Sequence, residues 1–256
     1  MMIELKSPQD ISVMREAGRV VAHALEAVRA HAAVGVPLRE LDSAAASVIR
    51  GAGAQPAFLN YHPSWAPVPF PGVICASIND AVVHGIPDRT RLADGDVVSI
   101  DCGAFVDGWC GDAAISFIVG QPDPVDAALI EATDAALERG IAAAVAGDRL
   151  GDVGHAIGDV VRRAGYGLLA DHGGHGIGRA MHEAPFVWNE GRSGRGLRLR
   201  PGLVIAIEPM LIAGGTDDYV TDDDGWTLRS ASGMKASHSE HTVAITEDGP
   251  LVLTAP

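Results

Sequence analysis

The chain has 256 residues, of which 47% are hydrophobic and 20% charged, and carries a formal net charge of −14. That length suits one large domain or two fused halves around a substantial core, and so acidic a balance argues against a nonspecific nucleic-acid binder, whose phosphate affinity comes from clustered Lys and Arg. No apolar run approaches the length of a membrane span and no signal region opens the sequence, so no membrane association and a cytoplasmic location are expected. Cys75, Cys102 and Cys110 are odd in number and form no CxxC pair, which reads as reduced core thiols.

In chain order, Ser7-Pro8-Gln9-Asp10 marks a helix start, with Ser as N-cap, Pro at the first helical position and an acid in the first turn. Ile11, Met14, Ala17, Val21, Leu25 and Val28 continue it at helical spacing. A second helix is predicted from Pro37 to Arg50, ending at Gly51-Ala52-Gly53. Residues 55–72 hold five prolines with Phe58, Tyr61, Trp65 and Phe70 between them, which excludes regular structure and suggests the rim of a site. A strand follows over 73–78, then two strands over 96–119 around the turn Asp107-Gly108. Helices are predicted from Pro124 to Ala146 and from Leu150 to Ala164, then strands around His175, over 203–208 and over 238–246. Arg192, Arg195, Arg198 and Arg200 read as a solvated basic loop, with a docking surface as the alternative. Helix, helix, strand and hairpin thus recur in the same order, which predicts one domain over 1–256 with halves near 1–120 and 121–256.

The hairpin carries the first chemistry. Strand side chains alternate faces, and a two-residue turn at Asp107-Gly108 pairs Asp101 with Ala114. Asp112 then lies diagonal to Asp101 on the same face, within reach of one site. The two could be solvated aspartates, but Val98, Ile100, Cys102, Ala104, Ile115 and Phe117 make the hairpin largely apolar, and buried like charges call for a cation. His175 lies in a glycine-rich turn that frees its ring, a weak signal by itself. Glu208 closes the apolar run Leu203-Val204-Ile205-Ala206-Ile207, and Glu240 opens the run Thr242-Val243-Ala244-Ile245. Four carboxylates and one imidazole suit two divalent ions sharing bridging carboxylates. The oxygen-rich set favours Mn, Fe(II) or Co over a thiolate zinc site. Such a pair of ions performs hydrolysis, with His84 and His182 left to orient the substrate or its oxyanion.

Five blocks together resemble the type I methionine aminopeptidases: Ile78-Asn79-Asp80-Ala81-Val82-Val83-His84-Gly85-Ile86-Pro87, Ser99-Ile100-Asp101 through Gly111-Asp112, Gly174-His175-Gly176-Ile177-Gly178 with His182-Glu183-Ala184-Pro185, Ile207-Glu208-Pro209-Met210, and Ser239-Glu240-His241-Thr242. Their order and spacing match from about Ile11 to Leu253. The resemblance implies an α/β (α+β) pita-bread fold, with pseudo-twofold halves and a curved antiparallel sheet covered by helices. It implies Asp101, Asp112, His175, Glu208 and Glu240 as ligands of two divalent ions (Co, Mn, Fe(II) or Zn), Asp112 and Glu240 bridging both. A hydroxide bridging those ions would attack the first peptide bond, Glu208 would move its proton, and His84 and His182 would contact the scissile amide and oxyanion. Tyr61, Cys75 and Trp226, with Met181 and His84 nearby, would line a methionine pocket. The implied substrates are nascent polypeptide N-termini with a small second residue; a monomer, a transient ribosome contact and no specific nucleic acid are expected. Val83, Met181 and Ala113 depart from the residues frequent at those places, the rim loop is long, and 216–224 carries five aspartates that would repel RNA. Two other readings share the scaffold: an Xaa-Pro peptidase, and a non-catalytic binding module, which loss of ligands would signal.

Overall fold

The structure, a computed structural model, describes residues 3–256. Two helices lead, α1 (Pro8–His31) and α2 (Leu38–Gly51), then the short strands β1 (Gln55–Pro56), β2 (Ile74–Ile78) and β3 (Ala81–Val83) and the long hairpin β4 (Val97–Val106) and β5 (Trp109–Ile118). Helices α3 (Pro124–Ala142) and α4 (Leu150–Ala164) follow, then β6 (Gly167–Leu168), β7 (Gly173–Gly176), β8 (Glu183–Trp188), β9 (Val204–Ile207) and β10 (Met210–Ile212). The chain closes with β11 (Tyr219–Thr221), β12 (Leu228–Ser230), β13 (Ala236–His238), β14 (Glu240–Thr246) and β15 (Gly249–Val252).

Local chemistry accounts for the helix starts. Ser7 Oγ accepts from the Asp10 amide while the Asp10 carboxylate accepts from the Ser7 amide, a reciprocal cap with Pro8 at the first position. Asp123 caps α3 one way only, its carboxylate accepting from the Val125 amide, with Pro124 at the first position. α3 stops at Ala142 rather than the expected Ala146, because Gly147, at φ +97°, turns the chain so that its amide reaches Leu199 O at 2.9 Å.

The main sheet runs β1-β4-β5-β14-β9-β7-β8, with β2 added to β4 and β15 to β14, and every ladder is antiparallel. Helices α1 and α2 cover one part of it: Val21, Leu25, Leu41 and Ile49 pack with Ile74, Val98 and Ile100. Helices α3 and α4 cover another, Leu137, Val153 and Ile157 packing with Ile205, Ile207 and Val243. Burying each such side chain contributes about 1.5–3 kcal/mol, so these contacts set where the helices lie.

The expected strand over 238–246 is broken at Ser239, and that over 203–208 ends at Ile207, before Glu208-Pro209. These breaks face each other. β9 pairs β14 with Ile207 opposite His241, and β10 pairs β13 with Met210 opposite His238, so one register spans the gap. Proline supplies no amide to the ladder there, and the gap leaves Glu208 and Glu240 opposite each other.

Candidate active site

Three adjacent strands place three carboxylates on one face. Asp101 pairs with Ala114 across the hairpin, and Ala114 pairs with Glu240 on the other side, so Asp101 and Glu240 flank one alanine. Asp112, two residues along β5, lies diagonal to both. Its backbone is pinned by Thr242, whose Oγ1 accepts from the Asp112 amide at 3.0 Å and donates to its carbonyl at 2.8 Å. Glu208 projects from the break beside Glu240, and Asn189 Nδ2 donates to its carbonyl at 3.0 Å. His175, on β7, donates from Nδ1 to Gly176 O at 2.9 Å, which leaves Nε2 free to face the carboxylates. Its Nε2 lies 3.6 Å from Glu208 Oε1.

This donor set fits divalent cations. One atom each from Asp112, His175 and Glu240 falls within 4.8 Å of the others, all three residues buried. Asp101 Oδ1, Asp112 Oδ1 and Glu240 Oε1 are buried without any hydrogen-bond partner, a costly state for acceptors with nothing positive nearby. Burial, reinforced by Glu208, raises the Asp112 carboxyl to about 8. Burial also raises Glu208 to about 8. Burial and the neighbouring Asp112 push Asp101 and Glu240 well above the carboxylate range. Burial holds the His175 imidazole neutral, its pKa lowered to about 3, as a metal ligand requires.

Above the cluster opens a cavity of about 650 Å³. His84 enters it from the end of β3, its backbone left-handed at φ +59°. The backbone beside it is held tightly, with Ala76 N donating to Gly85 O at 2.8 Å and Gly85 N to Ser77 Oγ at 3.1 Å. Burial, with the nearby His172, lowers its pKa to about 3. His182 lies at the open rim, its ring centroid 4.2 Å from that of His175, and Nδ1 shares a hydrogen bond of 3.2 Å with the Tyr61 hydroxyl. Cys75 pairs with Asp101 across β2 and β4, which puts its buried thiol beside the carboxylates.

The apolar wall comes from the proline-rich segment expected to form a rim, with Phe58, Tyr61, Trp65 and Phe70 all lining the cavity together with Met181 and Trp226. Trp226 packs edge-on against Phe70 and Trp65 at 5.1 and 4.9 Å, and its Nε1 donates to Val68 O at 2.9 Å. The acidic segment 216–224 is not a simple loop: it contains β11, and three of its aspartates hold structure. Asp224 Oδ1 accepts from the Trp226 and Thr227 amides, Asp222 pairs with Arg229 at 2.6 Å, and Asp217 takes a two-pronged contact from Arg162. The segment is thus partly neutralised and serves to seat Trp226. Among the described residues, Arg192, Arg195, Arg198 and Arg200 form no ion pair, and Arg198 donates from Nε to Gly147 O.

The cavity therefore gathers every residue that the sequence singled out for the site. It also holds His172, which sequence reasoning left without a role, and Trp65, expected there only as part of the rim. Trp65 stacks over His84 at 6.4 Å, and His172 meets Tyr219 edge-on at 5.1 Å. His238, also without an assigned role, does not line the cavity, but its Nε2 lies 3.4 Å from Glu208 Oε2. Only its position two residues before Glu240, on the same strand face, could have pointed to it.

The model of metallopeptidase family M24 matches residues 12–247. Methionine aminopeptidase 1 of Mycobacterium tuberculosis (strain CDC 1551 / Oshkosh) is 54% identical over 97% of this chain and 94% of its own length. The methionine aminopeptidase of Aquifex aeolicus (strain VF5) is 44% identical over 99% of each. The solved methionine aminopeptidase of Thermotoga maritima superposes with a TM-score of 0.95 at 38% identity over the whole of both chains. The prolidase of Pyrococcus furiosus shares the fold at a TM-score of 0.78 and 22% identity, over 98% of this chain but 65% of its own. The curved antiparallel sheet with its covering helices is therefore the pita-bread fold common to both groups. With two curated relatives above 40% identity over nearly their full length, the chain belongs to the methionine aminopeptidases of metallopeptidase family M24.

Proposed function

We propose that this chain, acting as one catalytic domain, removes the N-terminal methionine from polypeptides whose second residue is small. The observation that carries this reading is a metal-fitting carboxylate and histidine cluster at the foot of a cavity walled by Trp226, Tyr61, Phe70, Cys75 and Met181. That wall suits an unbranched apolar side chain next to the cluster.

Asp101, Asp112, His175, Glu208 and Glu240 would hold the metal, as a pair of divalent ions. Mn, Co, Fe(II) and Zn are the candidates. When bound, such ions supply Lewis acidity and lower the pKa of water. Glu208 takes the proton of the attacking water and returns it to the leaving amine. His84, neutral and held rigidly, hydrogen-bonds the scissile amide, and His182, steadied by Tyr61, faces the developing oxyanion. The carboxylates also attract the substrate's free α-ammonium, which restricts cleavage to the first peptide bond. The polypeptides are nascent chains met as a monomer in the cytoplasm, with at most transient contact with the ribosome.

The test is methionine release from Met-Ala-Ser by metal-free protein supplied with Mn, Co, Fe(II) or Zn. Release with at least one metal is expected. No release with any of them, together with cleavage of an Xaa-Pro peptide, would reject the reading. Asp112→Ala should abolish both metal uptake and release. Loss of an outer partner costs about 10–100-fold, and a direct ligand costs more. A variant that still releases methionine at the parent rate would leave a non-catalytic role for the cluster.

A further inference from the structure

We propose that His238 is a positioning residue for Glu208: its Nε2–H holds the carboxylate oxygen turned away from His175, so that the other oxygen stays aimed into the metal centre. This rests on the reading of Glu208 as ligand and proton carrier.

The imidazole is 2% exposed, and its Nε2 is fully enclosed without a hydrogen-bond partner. Two carboxylate oxygens lie within 4.0 Å of it, Glu208 Oε2 at 3.4 Å and Glu240 Oε2 at 4.0 Å. An imidazole nitrogen beside such acceptors carries the proton. Glu208 is therefore bracketed, with His175 Nε2 near Oε1 at 3.6 Å and His238 Nε2 near Oε2. The bracket matters because Glu208 projects from a break in the sheet, where Pro209 has no amide to donate and its carbonyl accepts from the Ser239 amide at 3.3 Å.

The backbone of His238 is fixed in place. Its amide donates to both Ser99 Oγ and Ser116 Oγ, at 3.2 and 3.1 Å, and its carbonyl accepts from Ser116 Oγ at 2.8 Å. The two serines are register partners across the β4–β5 hairpin, with hydroxyls 2.8 Å apart. Met210, opposite His238 in the β10–β13 ladder, is two residues from Glu208. The hairpin that carries Asp101 and Asp112 thus also anchors the histidine that reaches across to Glu208.

The experiment compares His238→Leu and His238→Gln with the parent in Mn(II) affinity by calorimetry and in kcat and KM on Met-Ala-Ser. Leucine removes the donor at similar volume, and glutamine restores one at similar reach. Expected for His238→Leu is a fall in kcat and in Mn(II) affinity of about tenfold each, with KM within about twofold. His238→Gln should recover most of both. A leucine variant equal to the parent, or a glutamine variant as poor as leucine, overturns the role. If the leucine variant does not fold, His238→Asn, whose donor falls short, takes its place and should behave as leucine was expected to. Nitrogen coupling to Mn(II) in pulsed EPR that His238→Gln removes would make His238 a ligand and also overturns it. A Glu208→Ala arm separates the two readings: retained affinity and activity there reject the centre itself, whereas their loss beside an unaffected His238→Leu rejects only the positioning role.

Discussion

Tyr61 shows how a single side chain joins two functions. Its ring stacks on His182 at 5.6 Å and lines the apolar wall, while its hydroxyl bonds His182 Nδ1. Tyr61→Phe keeps the wall and removes the bond, worth about 1 kcal/mol. Steady-state kinetics should show kcat reduced about fivefold with KM nearly unchanged; a change confined to KM would place Tyr61 in the pocket alone. Trp226→Ala should do the opposite, raising KM for methionine peptides, since its ring is a wall whose indole N–H donates to Val68 O. At this scale the sequence was most informative about carboxylates and least about imidazoles. A charge at the end of an apolar strand stands out, whereas His172 and His238 sit in segments where a histidine is unexceptional. Asp224 is a related case: read as part of an acidic surface, it is spent on the amides that seat Trp226.

The β4–β5 hairpin was legible as an element because its turn and its alternation agree. Asp107, at φ +48°, and Gly108, at φ +75°, make the tight turn, and the pairing of Asp101 with Ala114 follows with no slip along ten residue pairs. The breaks beside Glu208 and Glu240 were not legible, because a Pro after a strand and a Ser within one do not announce that they will face each other. Helix placement depends on glycines whose role is equally silent. A Cβ on Gly111, next to Asp112, would lie 2.8 Å from the Gly18 amide of α1. Gly111→Ala should therefore push α1 from the hairpin and cost about 1–3 kcal/mol in denaturant unfolding. Ser7→Ala, at the exposed cap of the same helix, should cost only about 1 kcal/mol and leave activity intact.

For the whole molecule, the metal centre couples folding to pH. Metal must displace protons from Asp112 and Glu208, whose carboxyls sit at about 8, whereas His175, at about 3, offers no competition. Lower pH therefore opposes binding. Mn(II) affinity measured by calorimetry should rise as pH goes from about 6 to about 8, with proton release visible as a dependence on buffer. An affinity flat over that range would mean the carboxyls are already ionised without metal. Metal at about 100 times its Kd should also add about 2.7 kcal/mol to stability, seen as a higher melting temperature.

The amino-acid order alone encodes the helices, the hairpin and the parity that puts Asp101 and Asp112 on one face, because capping, periodicity and turn chemistry act over a few residues. It also held the five spaced blocks that carry the family. The assembled fold is what brings Glu208 and Glu240 together across a gap between strands, Trp65 over His84, and His238 within 3.4 Å of Glu208. Those contacts join residues far apart in the chain, and they depend on the register of ladders and the packing of helices, which no local pattern encodes.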